Sequence, residues 1–264
     1  MEKKASNYTT ERKLVANYEW NRTHYKTYSG ILSCFCAQSV IENSSGGTLL
    51  DLACGDGTIT RLLSPHFDKI VGVDGSQKHL KLAQEKLPHA EFHASLIEEF
   101  EYNEQFDVTT LLLILEHVID PVTLLQHVTK FLKPNGKMII QVPNALACNR
   151  RIAKIMGTIT SEYELSPFDI NIAGHRRSYD KALLVKDITA AGLTVQSTGG
   201  IFYKMLSQSQ MDWFLENGRW NNEFGWGRVG GEQKDWKFEF CRACYEYGKT
   251  QPDQCNLIYA CVTK

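Results

Sequence analysis

An α/β fold, a doubly wound and mostly parallel sheet, is what this sequence predicts. Three observations point to it. Seven short apolar runs of strand length recur along the chain, the stretches between them carry helix-like spacing, and turn residues stand at most of the joints. Strands buried on both faces read as continuous apolar runs, and that is how several of these read.

Residues 8–43 read as helical, with Tyr18, Trp20, His24, Tyr25, Tyr28, Ile31, Leu32 and Phe35 at helix-like spacing. Ser44-Ser45-Gly46-Gly47 breaks that pattern. The first strand is Thr48 to Ala53, followed by a tight turn at Cys54-Gly55-Asp56-Gly57 and a helix from Thr58. Lys69 to Asp74 is the second strand, and Ser76 is placed to cap the helix that runs to Lys86. Glu91–Ala94 and Phe106–Leu113 are the third and fourth strands. Asp120-Pro121 opens a helix expected to reach Leu132, because proline suits a first helical turn. After the turn Lys133–Gly136, Gly136 to Val142 is the fifth strand, stopped by Pro143. The rhythm fails over 144–174, then resumes with a helix at 180–191 and a strand near 193–202. Residues 205–250 are dense in aromatics, and Asn256 to Thr263 is the last strand. The expected organisation is a helical cap (1–46), a ligand-binding core (47–145) and an inserted substrate loop (146–179). A completion of the core (180–264) follows, carrying an aromatic lid at 205–250.

The chain has 264 residues and a formal net charge of −1, so no global field draws it to nucleic acid or an anionic membrane. The apolar stretch Leu111–Leu115 is far too short to span a bilayer, and no secretory leader is legible, so a cytoplasmic location is expected. Eight cysteines are present. Cys241-x-x-Cys244 has the spacing of half a zinc site, but no second pair completes four ligands, and no metal is expected.

Asp51 and Asp74 close the first two strands and frame Gly55-Asp56-Gly57. Open α/β sheets bind ligands across the carboxyl ends of their strands, and glycine lets backbone approach a ligand closely. A carboxylate at the end of the second strand can accept both ribose hydroxyl protons. A dinucleotide site would carry a third glycine where Thr60 stands, and a diphosphate would meet Asp56. A ligand with a sulfonium and an ammonium group suits Asp51 and Asp56 better. A nicotinamide-linked oxidoreductase is the alternative on the same fold.

Leu49 to Gly57 resembles motif I of the class I S-adenosylmethionine (SAM)-dependent methyltransferases. Val71-Gly72-Val73-Asp74-Gly75-Ser76 resembles their ribose-binding motif. Phe106 to Pro121 and Phe131 to Lys137 resemble the fourth-strand segment and the turn before strand five in the small-molecule branch. The resemblance implies a Rossmann-like sheet of seven strands with the last antiparallel, and SAM as cofactor. It implies that Asp74 binds the ribose diol, with Gly75 beside it, and that backbone at Ala53, Gly55 and Gly57 lines the methionine part. Ser95, Leu96 and Ile97 fall at the adenine, where many members carry Asp at the position of Ser95. Backbone at Leu113 falls beside the cofactor, and Tyr18 and Tyr25 of the N-terminal helix are candidates for the cofactor and the acceptor pocket respectively.

Methyl transfer from a sulfonium is an in-line displacement, so the protein has to align the nucleophile and exclude water. An alcohol also needs a general base. His117, at the carboxyl end of strand four, and His175, in Gly174-His175-Arg176-Arg177-Ser178-Tyr179, are the candidates. The latter motif resembles an acceptor-lining segment of methyltransferases acting on sugars and sugar nucleotides. Arg176, Arg177, Tyr179 and Arg150 are therefore expected to contact an acceptor with an anionic group, since guanidinium binds phosphate or carboxylate bidentately. The expected function is O-methylation of a small polar metabolite, phosphorylated or nucleotide-linked, by a monomer or homodimer. N-methylation and RNA methylation are the alternatives.

Overall fold

The computed structural model describes residues 26–218 and 236–264, together with Arg12 and Val15. Its elements are α1 (Lys26–Asn43), β1 (Thr48–Leu52), α2 (Thr58–Leu63), β2 (Lys69–Asp74), α3 (Gln77–Lys86), β3 (Glu91–Ala94), β4 (Phe106–Leu112) and α4 (Pro121–Val128). They continue with β5 (Leu132–Pro143), α5 (Cys148–Ile155), α6 (Lys181–Ala190), β6 (Thr194–Tyr203), α7 (Gln208–Asn217), α8 (Trp236–Thr250) and β7 (Cys255–Thr263). The seven strands form one sheet in the order β3-β2-β1-β4-β5-β7-β6. Pairings among β1 to β5 are parallel, and β7 runs antiparallel to both its neighbours. The doubly wound sheet with an antiparallel last strand is as expected. The carboxyl ends of β1, β2, β4, β5 and β6 therefore share one edge.

Strand parity sorts the core onto two faces. Leu50, Leu52, Val71, Val73, Ile140 and Val142 pack with Leu124, Leu125 and Val128 of α4 and with Leu184 and Ile188 of α6. Leu49, Ile70, Val108, Ile139 and Ile201 pack on the other face with α1, α2, α7 and α8. Burying an aliphatic side chain of this size contributes about 1.5–3 kcal/mol, so covering both faces is what makes so long a sheet stable.

Several local expectations shift. Ser76 caps α3 by accepting from the His79 N–H, as read. The helix after Pro121 ends at Val128 and tightens into a 3-10 turn, and β5 starts at Leu132. The expected turn Lys133–Gly136 lies inside β5, where the pairing with β4 slips between Phe106 and Val108. Lys133 pairs there with Asp107 at 2.8 Å, and Asp107 also accepts from the N–H and hydroxyl of Thr48. These contacts push the Asp107 carboxyl down to about 2, Lys133 contributing most.

Within 205–250, α7 and α8 are described; Trp220, Phe224 and Trp226 lie outside the described residues, as do Tyr18 and Tyr25. Cys241 is buried in the core on α8, and no disulfide joins any of the eight cysteines. No helix among the described residues is long and apolar enough to cross a membrane.

Candidate active site

The carboxyl edge of the sheet holds three non-glycine residues with left-handed backbone: Ala53 after β1, Leu113 after β4 and Phe202 near the end of β6. Such conformations cost on the order of 1–3 kcal/mol each and gather at ligand sites. Ala53 is followed by Gly55 (φ 57°) and Gly57 (φ 72°). A Cβ at Gly57 would stand 2.9 Å from the Ala83 backbone, so glycine lets α2 sit against α3. A Cβ at Gly55 would meet nothing within 4 Å, so the turn opens onto free space. Asp74 closes β2 beside it. Its Oδ2 accepts from the Gly55 N–H at 2.9 Å, and its Oδ1 accepts from the Ser76 N–H at 2.8 Å. Burial raises this carboxyl, while those two N–H groups and His79 oppose the rise.

That arrangement fits a nucleoside with a methionine-like tail: open backbone at Gly55 and a carboxylate at the strand end where a ribose would lie. Gly75 packs beneath Val15 and Leu96. Ser95 donates its N–H to the Asp74 carbonyl at 3.1 Å and its hydroxyl to the Leu96 carbonyl at 2.8 Å. Leu96 and Ile97 are buried behind it. Leu113 is fixed by its N–H, which donates to the Gln141 carbonyl at 2.8 Å.

Two acids are placed otherwise than the sequence suggests. Asp51 shares strand parity with Leu49 and turns inward, 3% exposed. Its oxygens accept from Thr60 at 2.6 Å and Thr110 at 2.7 Å, tying β1 to α2 and β4. Asp56 pairs with Lys86 at 2.6 Å, and its other oxygen accepts from the Thr58 N–H at 3.2 Å. Lys86 neutralises the charge that was expected to attract a sulfonium and repel a diphosphate. Replacing Asp56 with alanine should therefore leave the affinity for S-adenosylhomocysteine, measured by calorimetry, within about threefold of the parent.

His117 and His175 come together although 58 positions separate them in the chain, with ring centroids 4.8 Å apart. Burial pushes the His117 imidazole down to about 3, helped by His175 and Arg176, while a hydrogen bond to the Gly174 backbone acts the other way. His175 is also lowered, by burial first, against the pull of Asp169 at 3.5 Å. Both rings are thus neutral at pH 7, the state a proton acceptor requires. Glu116 lies beside them, 3.8 Å from His117 Nε2, fully buried with neither carboxyl oxygen hydrogen-bonded. Burial pushes it up to about 8. One ligand-type atom from each of Glu116, His117 and His175 lies within 4.8 Å of the others, a spacing that suits a shared proton or a small cation.

Glu116 gives a pH-dependent stability. Above its ordinary value of 4.5 the unfolded chain sheds this proton and the folded chain keeps it, so stability falls as pH rises toward 8. Glu116→Gln removes that loss. The variant's melting temperature, minus the parent's, should grow steadily between pH 5 and pH 8.

The expected acceptor residues are largely spent on structure. Arg177 donates to the carbonyls of Leu115, Val118 and Ile119, latching the 174–179 loop under the end of β4. Arg176 donates from Nε to the His117 carbonyl at 2.8 Å, and its side chain is exposed. Arg150 donates to the carbonyls of Glu162 and Glu164. Tyr179 is 2% exposed in the core, its hydroxyl donating to Asp187 at 2.8 Å, so it lines no acceptor pocket.

The family model described as "Methyltransferase domain" matches residues 28–198, more than half of the chain. The chain belongs to this methyltransferase family. Among its relatives, the ubiquinone biosynthesis O-methyltransferase of Aeromonas salmonicida (strain A449) is 28% identical over 182 residues, 63% of this chain and 73% of that protein. That of Rickettsia canadensis (strain McKiel) is 26% identical over 173 residues, 64% and 70% of the respective chains. An SAM-dependent methyltransferase from Clostridium acetobutylicum ATCC 824 shares the fold at a TM-score of 0.51 and 16% identity, covering 98% of both chains. The DhpI-SAM-HEP complex does so at 0.57 and 16% identity, covering 98% of this chain and 97% of that one. By family this is a methyltransferase, with the fold of known SAM-dependent methyltransferases, and the nicotinamide reading is set aside.

Two groups in the methyltransferase escape sequence reasoning as functional residues. Glu116 lies within the Phe106–Pro121 segment, but nothing local shows its carboxyl oxygens to be buried without hydrogen bonds. Lys204 follows β6 on the same edge of the sheet and is 4% exposed. A signal for it exists: no acidic residue stands between Asp187 and Asp212.

Proposed function

We propose that this methyltransferase transfers the methyl group of SAM to an oxygen of a small polar acceptor, with the His117–His175 pair receiving the proton. The single observation that carries the reading is this pair of neutral imidazoles in contact after the carboxyl end of β4. The cofactor supplies an activated methyl on a sulfonium. Everything else falls to the chain. Asp74 accepts from the ribose hydroxyls, and the Gly55 turn admits the methionine part. Leu113 backbone, held by Gln141, shapes the floor where acceptor and cofactor meet. His117 takes the hydroxyl proton, and His175, steadied by Asp169, positions it. The curated relatives being O-methyltransferases supports oxygen over nitrogen as the acceptor atom.

The test is a screen of hydroxylated polar metabolites, including phosphorylated and nucleotide-linked ones, with methyl-labelled SAM, followed by location of the label. Label on a nitrogen, or turnover that survives loss of both histidines, would set the oxygen reading aside.

A further inference from the structure

A buried carboxyl group with no hydrogen bond lies beside two imidazoles after the end of β4. Neither oxygen of Glu116 has a hydrogen-bond partner, although buried polar groups ordinarily find one. His117 follows it directly. A Cβ at Gly174 would stand 3.8 Å from His117 Nδ1, so that nitrogen lies against the Gly174 backbone, while Nε2 stands 3.8 Å from Glu116 Oε1. Backbone hydrogen bonds bring the third donor from 58 positions away. The Arg176 N–H donates to the Glu116 carbonyl and the His175 N–H to the Asp169 carbonyl, each at 2.8 Å. The Asp169 carboxylate, 3.5 Å from His175 Nδ1, steadies that ring, as carboxylates behind ligating histidines do. Both histidines are partly exposed, so the cluster can be reached from solvent. One donor atom from each of the three residues lies within 4.8 Å of the others. Two ligands of one zinc-like ion, at about 2.0–2.2 Å, stand at most about 4.4 Å apart, so small side-chain rotations close the set. Arg176 and Arg177 donate to carbonyls of 115–119, and the carboxylates of Glu116 and Asp169 offset their charge.

We propose that Glu116, His117 and His175 form a binding site for one divalent transition-metal ion of the zinc or cobalt(II) class. Two imidazoles and a carboxylate suit such borderline ions, whereas magnesium and calcium prefer oxygen donors throughout. The ion displaces the proton of the Glu116 carboxyl, which leaves to solvent. Three protein donors leave at least one coordination position open to water or to a substrate oxygen. The half-site spacing in the sequence, Cys241-x-x-Cys244, plays no part, because Cys241 is buried in the core. The site stands on its own geometry and not on the methyl-transfer reading. One nitrogen cannot hold a proton and an ion together. In the ion-free protein His117 is therefore the proton acceptor, and in the loaded protein it is a ligand.

The experiment uses the full chain without an affinity tag, stripped with chelator, dialysed, and titrated by calorimetry with zinc, cobalt or magnesium chloride. One equivalent of zinc or cobalt should bind, and magnesium should bind at least about a hundredfold more weakly. Glu116→Gln and His175→Ala should each weaken zinc binding by at least about tenfold, and Asp169→Asn by about tenfold through the ring it steadies. Cobalt supplies a signature that a structural role would not move: visible d–d bands without the near-ultraviolet band of a thiolate ligand, since the chain also offers eight cysteines. Glu116→Gln keeps the shape of the side chain, and a cooperative melting transition of each variant in chelator verifies its fold. The site is refuted if the parent binds no zinc, if affinity is unchanged in both Glu116→Gln and His175→Ala, or if cobalt shows a thiolate band. Turnover of an acceptor from the labelled screen, with and without chelator, bears only on the proton-accepting role of His117. Turnover that requires the ion removes that role and leaves the cation site standing.

Discussion

Replacing Asp74 with alanine is expected to weaken S-adenosylhomocysteine binding by about two orders of magnitude or more. Two charge-assisted hydrogen bonds to a ribose diol contribute roughly 1.5–3 kcal/mol each. The same carboxylate also fixes the N–H groups of Gly55 and Ser76, so its loss loosens the turn that admits the methionine part. Asp74→Asn separates these effects. One amide oxygen can still accept from one N–H, so the asparagine variant should recover part of the affinity without regaining the parent's. Calorimetric titration of both variants decides the matter, and parental affinity in the alanine variant would dismantle the proposed cofactor site. Asp56→Ala is the contrasting control, because Lys86 already occupies that carboxylate.

The second large effect concerns His117. His117→Ala should lower kcat by about 10²–10⁴ while cofactor affinity stays near the parent's, as expected for loss of a general base. The pH profile is the sharper measurement. An exposed imidazole would impose an acid limb near its ordinary 6.5, but burial pushes this ring down to about 3. The base therefore stays neutral as pH falls, and kcat/KM should show no limb near 6.5. Stability follows the opposite logic to Glu116. Below 6.5 the unfolded chain binds a proton that folded His117 refuses, so His117 makes the fold less stable as pH falls from there toward 3. An acid limb at 6.5 that disappears in His117→Ala would show the ring to be solvated and the burial argument to be wrong.

Some of this site is legible from local pattern. Asp74 ends a six-residue strand whose middle, Ile70–Val73, is uncharged, and its carboxylate meets the turn that follows the preceding strand; both facts are encoded within one βαβ unit. Ser76 reads as a helix cap and serves as one, and in the fold Asp120 and Asp180 cap the next helices in the same way, because capping depends on a few adjacent residues. Asp51 reads as a cofactor contact, and in the fold its two oxygens accept from threonines. Alternate residues of β1 face opposite sides of the sheet, and Thr60 and Thr110 wait on the inner side. The arginines of 174–179 read as ligand contacts because guanidinium binds anions. In the fold they find the unpaired carbonyls of 115–119 first, and buried carbonyls need partners.

By itself the sequence determined the alternation of strands and helices, the glycine turn after β1 and the carboxylate after β2. Each depends on neighbours in the chain, where hydrophobic period and turn chemistry act. Only the tertiary structure decided which charges remain available. Asp51, Asp56, Arg150, Arg177 and Tyr179 each meet a partner distant in sequence or on another element, whereas Glu116 is buried with neither carboxyl oxygen hydrogen-bonded and Lys204 is buried with no carboxylate partner among the described residues. Whether an ionisable group serves a ligand or the fold depends on its burial and on what faces it, and both are set by long-range packing.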